Sequence, residues 1–529
     1  MVQVVWFKRD LRVVDHAPLW HAVATGGPVL CLYVVEPDLW AQPDASARQW
    51  AFVRESLIEL RRDLEAIGGS LVVRTGDVVT LLDRLHRQAG IDGLWSHEET
   101  GNGWTYDRDK RVATWARSHS IPWHEPSQNG VVRRLRTRDG WAARWDRTMR
   151  QPIVPAPDAI VSAPRFAAGE IPHAPDAGLP VDPCPGRQSG GRDAGLMLLE
   201  TFLHRRGEAY HREMSSPLTA DEACSRLSAH LAYGTLSMRE VAQATWARIA
   251  EVKGMPSDMR GSWAMALRAY IGRLHWHCHF MQKLESAPSI EFRNLHRAYD
   301  GMREEMFDRS RYDAWANGRT GFPFVDACMR SLASTGWINF RMRAMLVAFA
   351  SYQLWLHWRE TGLHLARLFT DYEAGIHWSQ VQMQSGTTGT NTVRMYNPVK
   401  QSLDQDPDGT FIRRWVPEVR RVPDAFIHEP WKMPDALQVS VGCRIGDDYP
   451  ARIVDHEEAA RMARERVWAV RRGEAFRAEA HTILEKHGSR KRRVDASPAH
   501  ARRRAVSPPS DVDQNPTPQL AFDLNGGTA

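Results

Sequence analysis

One short segment has the residue types and the position of an anion-binding site. Ser225–Ser228 reads SRLS and stands at the start of a stretch with helical spacing. The first backbone N–H groups of a helix have no partner within the helix, and the helix dipole places positive charge there. Phosphate groups bind at such ends, so this segment predicts a phosphate cradle. Ser225 taken alone would equally serve as an ordinary N-cap, worth about 1 kcal/mol.

The spacing of the cysteines and glycines argues against several classes of site. The six cysteines are scattered and include no CxxC pair, so neither a disulfide framework nor a metal or iron–sulfur centre is predicted. No GxGxxG follows the first apolar run, which leaves a conventional dinucleotide site in the N-terminal half unsupported. The cysteines are Cys31, Cys184, Cys224, Cys278, Cys328 and Cys443.

The elements that must hold the cradle fall into two kinds along the chain. In the first part, short β-prone runs alternate with stretches of helical spacing, which predicts a Rossmann-like α/β domain with a parallel sheet between helices. The runs cover 2–7, 28–35, 70–74 and 92–95, and the helical stretches cover 45–66 and 78–89. Beyond residue 195 apolar residues recur every three or four positions. The second domain is therefore predicted to be all helical.

Composition marks the boundaries between these parts. Proline and glycine crowd the chain between residues 150 and 192, and the interiors of helices and strands tolerate neither. The predicted layout is an α/β domain over 1–130, a Pro/Gly-rich linker over 131–194, a helical domain over 195–485 and a basic tail over 486–529.

Charge and hydropathy bear on location and partners. The formal net charge is +6, but eight Lys/Arg against four acids lie between Lys486 and the C-terminus, so the rest of the chain is nearly neutral. The tail either adds sequence-independent attraction to phosphates or is a solvated end. No apolar run approaches the ~20 residues of a membrane span, and the charged start MVQVVWFKRDLR is unlike a signal peptide. We therefore expect a cytoplasmic, monomeric protein without a membrane partner.

Five strings in the sequence resemble one known family. WFKRDLRVVD at 6–15 is similar to the opening of the antenna domain of photolyases and cryptochromes. Four further strings resemble, in order and spacing, the FAD domain of that family: SRLSAHLAYGTLSMRE (225–240), TGFPFVDACMRSLASTGWINFRMR (320–343), DYE (371–373) and YNPVKQSLDQDPDGTFIRRWVPE (396–418). The resemblance covers residues 1–480 and implies that the helical domain binds FAD.

The resemblance also assigns residues to the cofactor. Arg343 is expected to pair with Asp371, whose carboxylate reaches the flavin, and Glu373 stands where the family usually has aspartate. A purely structural ion pair between helices is the alternative for Arg343 and Asp371. The expected cofactor contacts are Tyr210, Ser225, Arg226, Leu227, Ser228, Trp337, Arg343, Asp371 and Glu373.

Several positions depart from DNA-repairing relatives. His377 stands where many photolyases place an asparagine that faces flavin N5, and it would either donate a hydrogen bond or a proton there or be a neutral core histidine. Arg273 replaces the glutamate that usually binds a cyclobutane dimer, whereas the dimer-stacking tryptophan is kept as Trp276, unless that ring belongs to the core. Phe340 and Ala344 replace the two histidines of animal-type (6-4) enzymes.

The path of electrons to the flavin is altered as well. Most relatives use three tryptophans, of which Trp358 matches the middle one, but the flavin-proximal position is Val381. Because valine cannot carry an electron, we expect Trp378 to substitute for it, with helix packing as the alternative role of that indole. A second, antenna chromophore of folate or deazaflavin type is left open, since Tyr106 and Asp107 fall near the folate contacts of relatives.

Two functions follow from the resemblance. The first is a deoxyribodipyrimidine photolyase, which repairs pyrimidine dimers in damaged DNA by electron transfer from reduced FAD, with cyclobutane dimers as the expected lesion. The second is a cryptochrome-type blue-light photoreceptor that uses the same flavin without repair. A generic flavin oxidoreductase ranks third because no nicotinamide site is present. In the tail, Gln519–Leu524 (QLAFDL) loosely resembles peptides that dock on bacterial sliding clamps.

Overall fold

The computed structural model describes residues 1–163, 166–390 and 393–487, so the tail peptide Gln519–Leu524 lies outside the described residues. Its five strands are β1 (Val2–Phe7), β2 (Val29–Val35), β3 (Leu71–Thr75), β4 (Ile91–Trp95) and β5 (Trp123–His124). The helices of the first part are α1 (Ala17–Ala24), α2 (Pro37–Trp40), α3 (Ala47–Ala66), α4 (Val78–Ala89), α5 (Gly103–Ser118) and α6 (Trp141–Met149).

The second part is built from helices throughout the described residues. They are α7 (Arg192–Thr201), α8 (Tyr210–Glu213), α9 (Ala220–Ala223), α10 (Ser228–Ala232), α11 (Met238–Gly254), α12 (Trp263–Ser286), α13 (Arg309–Ala316), α14 (Pro323–Thr335), α15 (Phe340–Ala348), α16 (Trp358–Leu368), α17 (Ala374–Ser385), α18 (Pro398–Gln405), α19 (Thr410–Trp415), α20 (Asp435–Val441), α21 (His456–Arg472) and α22 (Glu474–His487). The prediction of an α/β domain followed by an all-helical domain is confirmed.

The sheet is parallel, with strand order β3-β2-β1-β4-β5. Its strands are apolar on both faces, which is typical of a parallel sheet covered by helices on each side. In β1, Val5 and Phe7 pack into one core with α1 and α3, whereas Val4 and Trp6 pack into another with α4 and α5. Strands are added first on one side of β1 (β2, β3) and then on the other (β4, β5). This reversal of strand order places a crevice at the carboxyl ends of β1 and β4.

The proline- and glycine-rich stretch runs along the side of the sheet. Among its described residues the only regular element after α6 and before α7 is a short 3-10 turn at Pro175–Ala177. Its backbone hydrogen-bonds to the first domain, with Ile160 N donating to Ile67 O at 2.7 Å and Val73 N donating to Ala168 O at 2.7 Å. The helix α6, which lies near the start of this stretch, packs against α11 and α12 instead of the sheet. The domain boundaries at residues 130 and 194 remain predictions.

In the helical part, α12 and α17 cross in close contact. A Cβ on Gly375, at the start of α17, would lie 2.7 Å from the Cα of Met281 on α12, so only glycine permits this approach. A second glycine, Gly336, has φ of +70° and ends α14 just before Trp337. Because that conformation is strained for other residues, it fixes the turn into α15.

The two parts are joined by buried polar side chains of α3. Arg48 Nη1 donates to Ala333 O at 3.0 Å and to Leu368 O at 3.2 Å, and Gln49 Nε2 donates to Ala366 O at 2.8 Å. These carbonyls belong to the segments that lead into Trp337 and Asp371. The N-terminal domain therefore holds in place two loops that carry expected cofactor contacts.

No helix in the described ranges has both the length and the apolar character of a membrane span. All six cysteines have free thiols, and four of them are buried.

Candidate cofactor and substrate site

The SRLS segment leads into a helix, as its sequence predicts. The helix α10 begins at Ser228, but its N-cap residue is Leu227, so the alternative of Ser225 as a simple N-cap is wrong. Arg226 lies between them with φ of +61°, a left-handed conformation that non-glycine residues adopt only where the surroundings hold them. The backbone of Ser225–Ser228 therefore makes a turn before the first residue of α10.

Buried polar atoms without partners surround this turn. Ser228 Oγ, Arg226 Nε and Asn339 Oδ1 are buried and have no hydrogen-bond partner among the described residues. Leaving each such atom unsatisfied costs about 1–3 kcal/mol, so a bound polar ligand is the natural partner. Asn339 is oriented for this by its own Nδ2, which donates to Ser215 O at 2.6 Å and to Met214 O at 3.1 Å. The donors and acceptors present fit the pyrophosphate and ribityl groups of FAD.

Positive charge accumulates beside the cradle. The Arg226 guanidinium lies 4.1 Å from the Trp337 ring centroid and pairs with Asp221. Burial lowers the pKa of Arg226 to about 10, against the attraction of Asp371, so this side chain stays charged at neutral pH. A diphosphate would add the anionic partner that such a buried cation favours.

Arg343 and Asp371 form the pair expected from the sequence. Arg343 Nη1 and Nη2 donate to the two carboxylate oxygens of Asp371 at 3.0 and 2.8 Å, and Arg343 Nε donates to Ile338 O at 2.7 Å. The guanidinium also stacks 4.1 Å over the Phe369 ring. With only 3% of the Asp371 side chain exposed, this bidentate geometry fixes the carboxylate at the edge of the cofactor region.

Glu373 has a partner that the sequence did not suggest. Its Oε2 lies 2.7 Å from Nε2 of His277 on α12, and both side chains are largely buried. Burial alone would lower the pKa of His277, but the Glu373 carboxylate outweighs it and raises the pKa to about 10. His277 is therefore an imidazolium at neutral pH. The ion pair therefore links α12 to Glu373, the residue immediately before α17.

His377 is held as a neutral histidine. Its Nε2 donates to Gly362 O at 2.9 Å, and its ring packs edge-on against Tyr372 and Trp378. Burial lowers the pKa of His377 to about 4. Of the sequence alternatives, this geometry matches the neutral core histidine, with Nδ1 left as an acceptor rather than a proton donor.

The residues expected at the lesion lie together on α12 and its neighbours. The Arg273 guanidinium hydrogen-bonds to the buried Tyr210 hydroxyl and lies 5.6 Å from the Phe340 ring. Three residues later, the half-buried Trp276 ring stacks on Phe280 with centroids 5.2 Å apart. Because residues three apart share a helix face, α12 presents Arg273 and Trp276 side by side. Tyr210, an expected cofactor contact, therefore contacts Arg273 instead of standing apart from α12.

The two tryptophans expected to carry electrons, Trp358 and Trp378, are in contact with each other. Trp358 and Trp378 have ring centroids 5.8 Å apart, and Trp358 Nε1 donates to Asn294 Oδ1 at 2.7 Å. A Cβ on Gly362 would meet the Trp378 ring at 2.7 Å and Val381 at 3.4 Å. The indole of Trp378 therefore lies beside the valine that occupies the usual electron-carrier position.

Comparison with known proteins identifies the family to which this chain belongs. The DNA photolyase family matches residues 3–145, and the FAD binding domain of DNA photolyase matches residues 270–469. The deoxyribodipyrimidine photo-lyase of Streptomyces griseus is 30% identical over 488 residues, covering 88% of this chain and 99% of that protein. The chain belongs to the photolyase/cryptochrome family. It carries a FAD-binding domain.

Further members of the photolyase/cryptochrome family bear both kinds of name. A cryptochrome DASH of Gloeobacter violaceus is 29% identical over 481 residues, covering 86% of this chain and 94% of that protein. The crystal structure of a bacterial class III photolyase from Agrobacterium tumefaciens superimposes with a TM-score of 0.78 at 26% identity, covering 89% of this chain and 98% of the other. Family membership alone therefore leaves repair and photoreception both open.

At the carboxyl ends of β1 and β2, this photolyase/cryptochrome-family chain has a small cavity of about 80 Å³, with Trp6, Tyr33 and Trp40 among its walls. Arg108 and Glu36 form an ion pair of 2.9 Å across it. The two residues expected near a folate lie elsewhere, on α5, where the exposed Tyr106 and Asp107 each contact Lys110.

One buried cluster in the N-terminal domain has the composition of a metal site. Asp10, His16 and His97 bring their ligand atoms within 4.8 Å of one another. His16 Nδ1 accepts from Leu19 N at 3.0 Å, so its Nε2 carries the proton and faces Asp10 Oδ2 at 3.0 Å. A protonated nitrogen cannot ligate a metal. The cluster instead links the ends of β1 and β4 to the start of α1.

Sequence reasoning missed two contacts of this family member's cofactor region. Asn339 lay inside the quoted string at 320–343 but has no local signal, because its carbonyl partners are more than one hundred residues away. His277 sits in the run HWHCH at 275–279, which spaces imidazoles on alternating positions of a helix. That unusual run was the available signal for a buried cationic histidine.

Proposed function

We propose that this protein repairs pyrimidine dimers in DNA under light, with reduced FAD as the electron donor. The observation that supports it is that one helix, α12, carries both the residues expected at the lesion and a residue that contacts the expected cofactor site. On α12, Arg273 and Trp276 border the lesion surface, and the next residue, His277, pairs with the expected cofactor residue Glu373. The four residue steps from Arg273 to His277 correspond to a rise of only about 6 Å along the helix axis, so the cofactor and the lesion would be adjacent.

Trp276 suits a pyrimidine dimer that has been flipped out of the duplex. Its ring is half-buried and backed by Phe280, which leaves an aromatic surface that is already held in place. Base–aromatic stacking is worth about 1–3 kcal/mol per base, and a damaged pair is cheap to unstack. Selectivity for a lesion would therefore come from Trp276, whereas affinity would come from phosphate contacts.

Arg273 would hold the dimer differently from a carboxylate. Its guanidinium is positioned by the Tyr210 hydroxyl and by Met214 Sδ at 3.6 Å. Five N–H donors in a planar fork can donate to base carbonyl oxygens. Such a fixed cation also stabilises negative charge that develops on the lesion.

FAD, when bound, supplies the light-excited electron, and the residues of this chain prepare its pocket. Ser228, Arg226 and Asn339 would bind and orient the cofactor through the buried atoms that lack partners. Arg343 and Asp371 would fix its flavin edge. Trp378 and Trp358, 5.8 Å apart, would return the cofactor to its reduced form.

The test is light-dependent restoration of thymines in oligonucleotides that carry one cyclobutane dimer or one (6-4) photoproduct, measured by chromatography. The fully reduced wild type should restore the cyclobutane dimer. Trp276→Ala should lose preference for damaged over undamaged DNA, whereas Trp468→Ala, a control on α21 with 46% of its ring surface exposed, should behave like the wild type. Restoration of neither lesion, in single- or double-stranded DNA, would refute the repair function.

A cryptochrome-type photoreceptor is the second candidate, and one observation favours it. The Arg273 guanidinium lies over the Phe340 ring at 5.6 Å, so a cation and an aromatic side chain occupy the positions where substrate-binding groups are expected. In that case the same assay would give no restoration, while light would still reduce the flavin.

A further inference from the structure

A wide cleft lies between the N-terminal domain and the ends of α12 and α22. It has a volume of about 940 Å³ and is lined by α5, the segment 133–138, Ser286 of α12 and Lys486 of α22. Small-molecule pockets usually hold about 300–1,000 Å³ and are mostly apolar. This cleft lies at the upper end of that range, but eleven of its nineteen lining residues are charged. Its composition fits a polymeric anion better than an enclosed small molecule.

The charges in the cleft are unbalanced. Seven of the charged lining residues are basic and four are acidic. Three of the acids are already engaged in ion pairs: Glu99 with Arg108 at 2.6 Å, Asp109 with Lys8 at 3.2 Å and Glu125 with Arg133 at 3.0 Å. The fourth, Glu285, accepts a hydrogen bond from Thr100 Oγ1 at 2.8 Å. Among the basic residues, Arg133 and Lys110 are paired in turn, the latter with Asp107 at 2.7 Å. The exposed basic residues that remain are Arg117, Arg134, Arg136 and Lys486.

Two arginines carry most of this surplus. Arg134 and Arg136 are exposed and line the cleft, and among the described residues neither side chain has an ion-pair partner. Arg134 has a left-handed backbone, with φ of +54°. Lys486 of α22 is exposed and also lines the cleft, and the sequence continues from it as HGSRKRR.

A buried cation lies beneath the same end of α12. Lys283 is 8% exposed, one helical turn before Ser286, and has no acidic partner within the described ranges. Burial, together with Arg138, lowers the pKa of Lys283 to about 8. Its Nζ lies 5.1 Å from the Phe280 ring, which in turn stacks on Trp276. The positive region thus continues along α12 toward the expected lesion surface.

The wall formed by α5 adds an exposed aromatic ring. Tyr106 is 53% exposed, and Lys110 Nζ lies 4.3 Å from its ring centroid. A positive groove that follows a backbone, combined with aromatic rings for bases, is how proteins bind single-stranded nucleic acid without sequence preference.

We propose that this cleft binds a single strand of nucleic acid, with Arg134, Arg136 and Lys486 on the phosphates and Tyr106 under a base. The binding needs no lesion and no light, so it goes beyond the proposed repair. A strand held here would keep a DNA substrate attached next to α12 while its damaged site is engaged at Trp276.

The experiment uses the full-length, FAD-loaded protein and a fluorescein-labelled oligothymidylate of about 16 nucleotides, titrated by fluorescence anisotropy at several salt concentrations. Each phosphate contact to a single strand contributes about 0.7 to the slope of log K against log salt. Arg134→Ala/Arg136→Ala should therefore reduce that slope by about 1.4 and weaken binding about 25-fold at about 0.1 M salt. Tyr106→Ala should weaken binding while leaving the slope unchanged.

The control is Arg84→Ala/Arg87→Ala on α4, which removes the same charge outside the cleft and should keep wild-type binding and slope. The proposal is overturned if the double variant in the cleft binds like the wild type, or if the control loses as much. It is also overturned if a reduced folate, but no oligothymidylate, binds the wild type, since the cleft would then be a small-molecule site. Trp276→Ala should keep full affinity for this undamaged strand, and its loss would place the strand on the lesion surface instead.

Discussion

The ion pair between His277 and Glu373 makes stability depend on pH in a way that can be measured. The two side chains meet at 2.7 Å with 12% and 8% of their surfaces exposed. Glu373→Gln keeps the shape of the side chain and removes its charge. Burial would then be opposed only by the contact with Cys278, and the pKa of His277 should fall below its wild-type value. His277 would be neutral at pH 7 in the variant and charged in the wild type.

The magnitude follows from the pKa. In the folded protein the pKa of His277 is raised from 6.5 to about 10, and one pKa unit corresponds to about 1.4 kcal/mol. The pair therefore contributes up to about 5 kcal/mol, close to the about 3–5 kcal/mol that removal of one partner from a buried pair costs. Because the folded pKa is the higher one, this stabilisation is complete below pH 6.5 and is lost as pH rises toward 10.

The assay is urea unfolding of the FAD-loaded protein, followed by tryptophan fluorescence at two pH values. From about pH 7 to about pH 9.5 the wild type should lose about 3 kcal/mol more unfolding free energy than Glu373→Gln. The matched control is Glu98→Gln, a carboxylate in the same cavity as His277, and it should retain the wild-type pH dependence. A Glu373→Gln variant with wild-type stability at both pH values would refute the charged pair.

Three other outcomes are expected. Asp371→Ala should lose most bound FAD, measured as visible absorbance per protein, because Arg343 loses its bidentate partner. The exposed-site control Asp313→Ala should keep full flavin absorbance. Full FAD occupancy in Asp371→Ala would contradict the assignment. Trp358→Phe and Trp378→Phe should each slow flavin photoreduction in transient absorption, and wild-type rates in both would exclude this electron path. A peptide covering 512–529 should bind a bacterial sliding clamp at micromolar concentration, and absence of binding would dismiss Gln519–Leu524 as a docking motif.

The sequence by itself determined the element types and their order. Strands β1 to β4 and helices α3 and α4 begin and end within one or two residues of the periodic runs, because periodicity is set by near neighbours in the chain. The motifs also identified the FAD domain and the Arg343–Asp371 pair. In contrast, β5 has only two residues, Trp123–His124, too few for an alternating pattern to show.

Only the tertiary structure decided which of these side chains meet. His277 and Glu373 are 96 positions apart in the sequence, and Asn339 finds its carbonyl partners 124 and 125 positions away. Trp378 of α17 packs against Trp358 of α16, where Gly362 leaves room for the Trp378 ring. Such pairings depend on how helices cross, and crossing is set by packing over the whole core rather than by local periodicity.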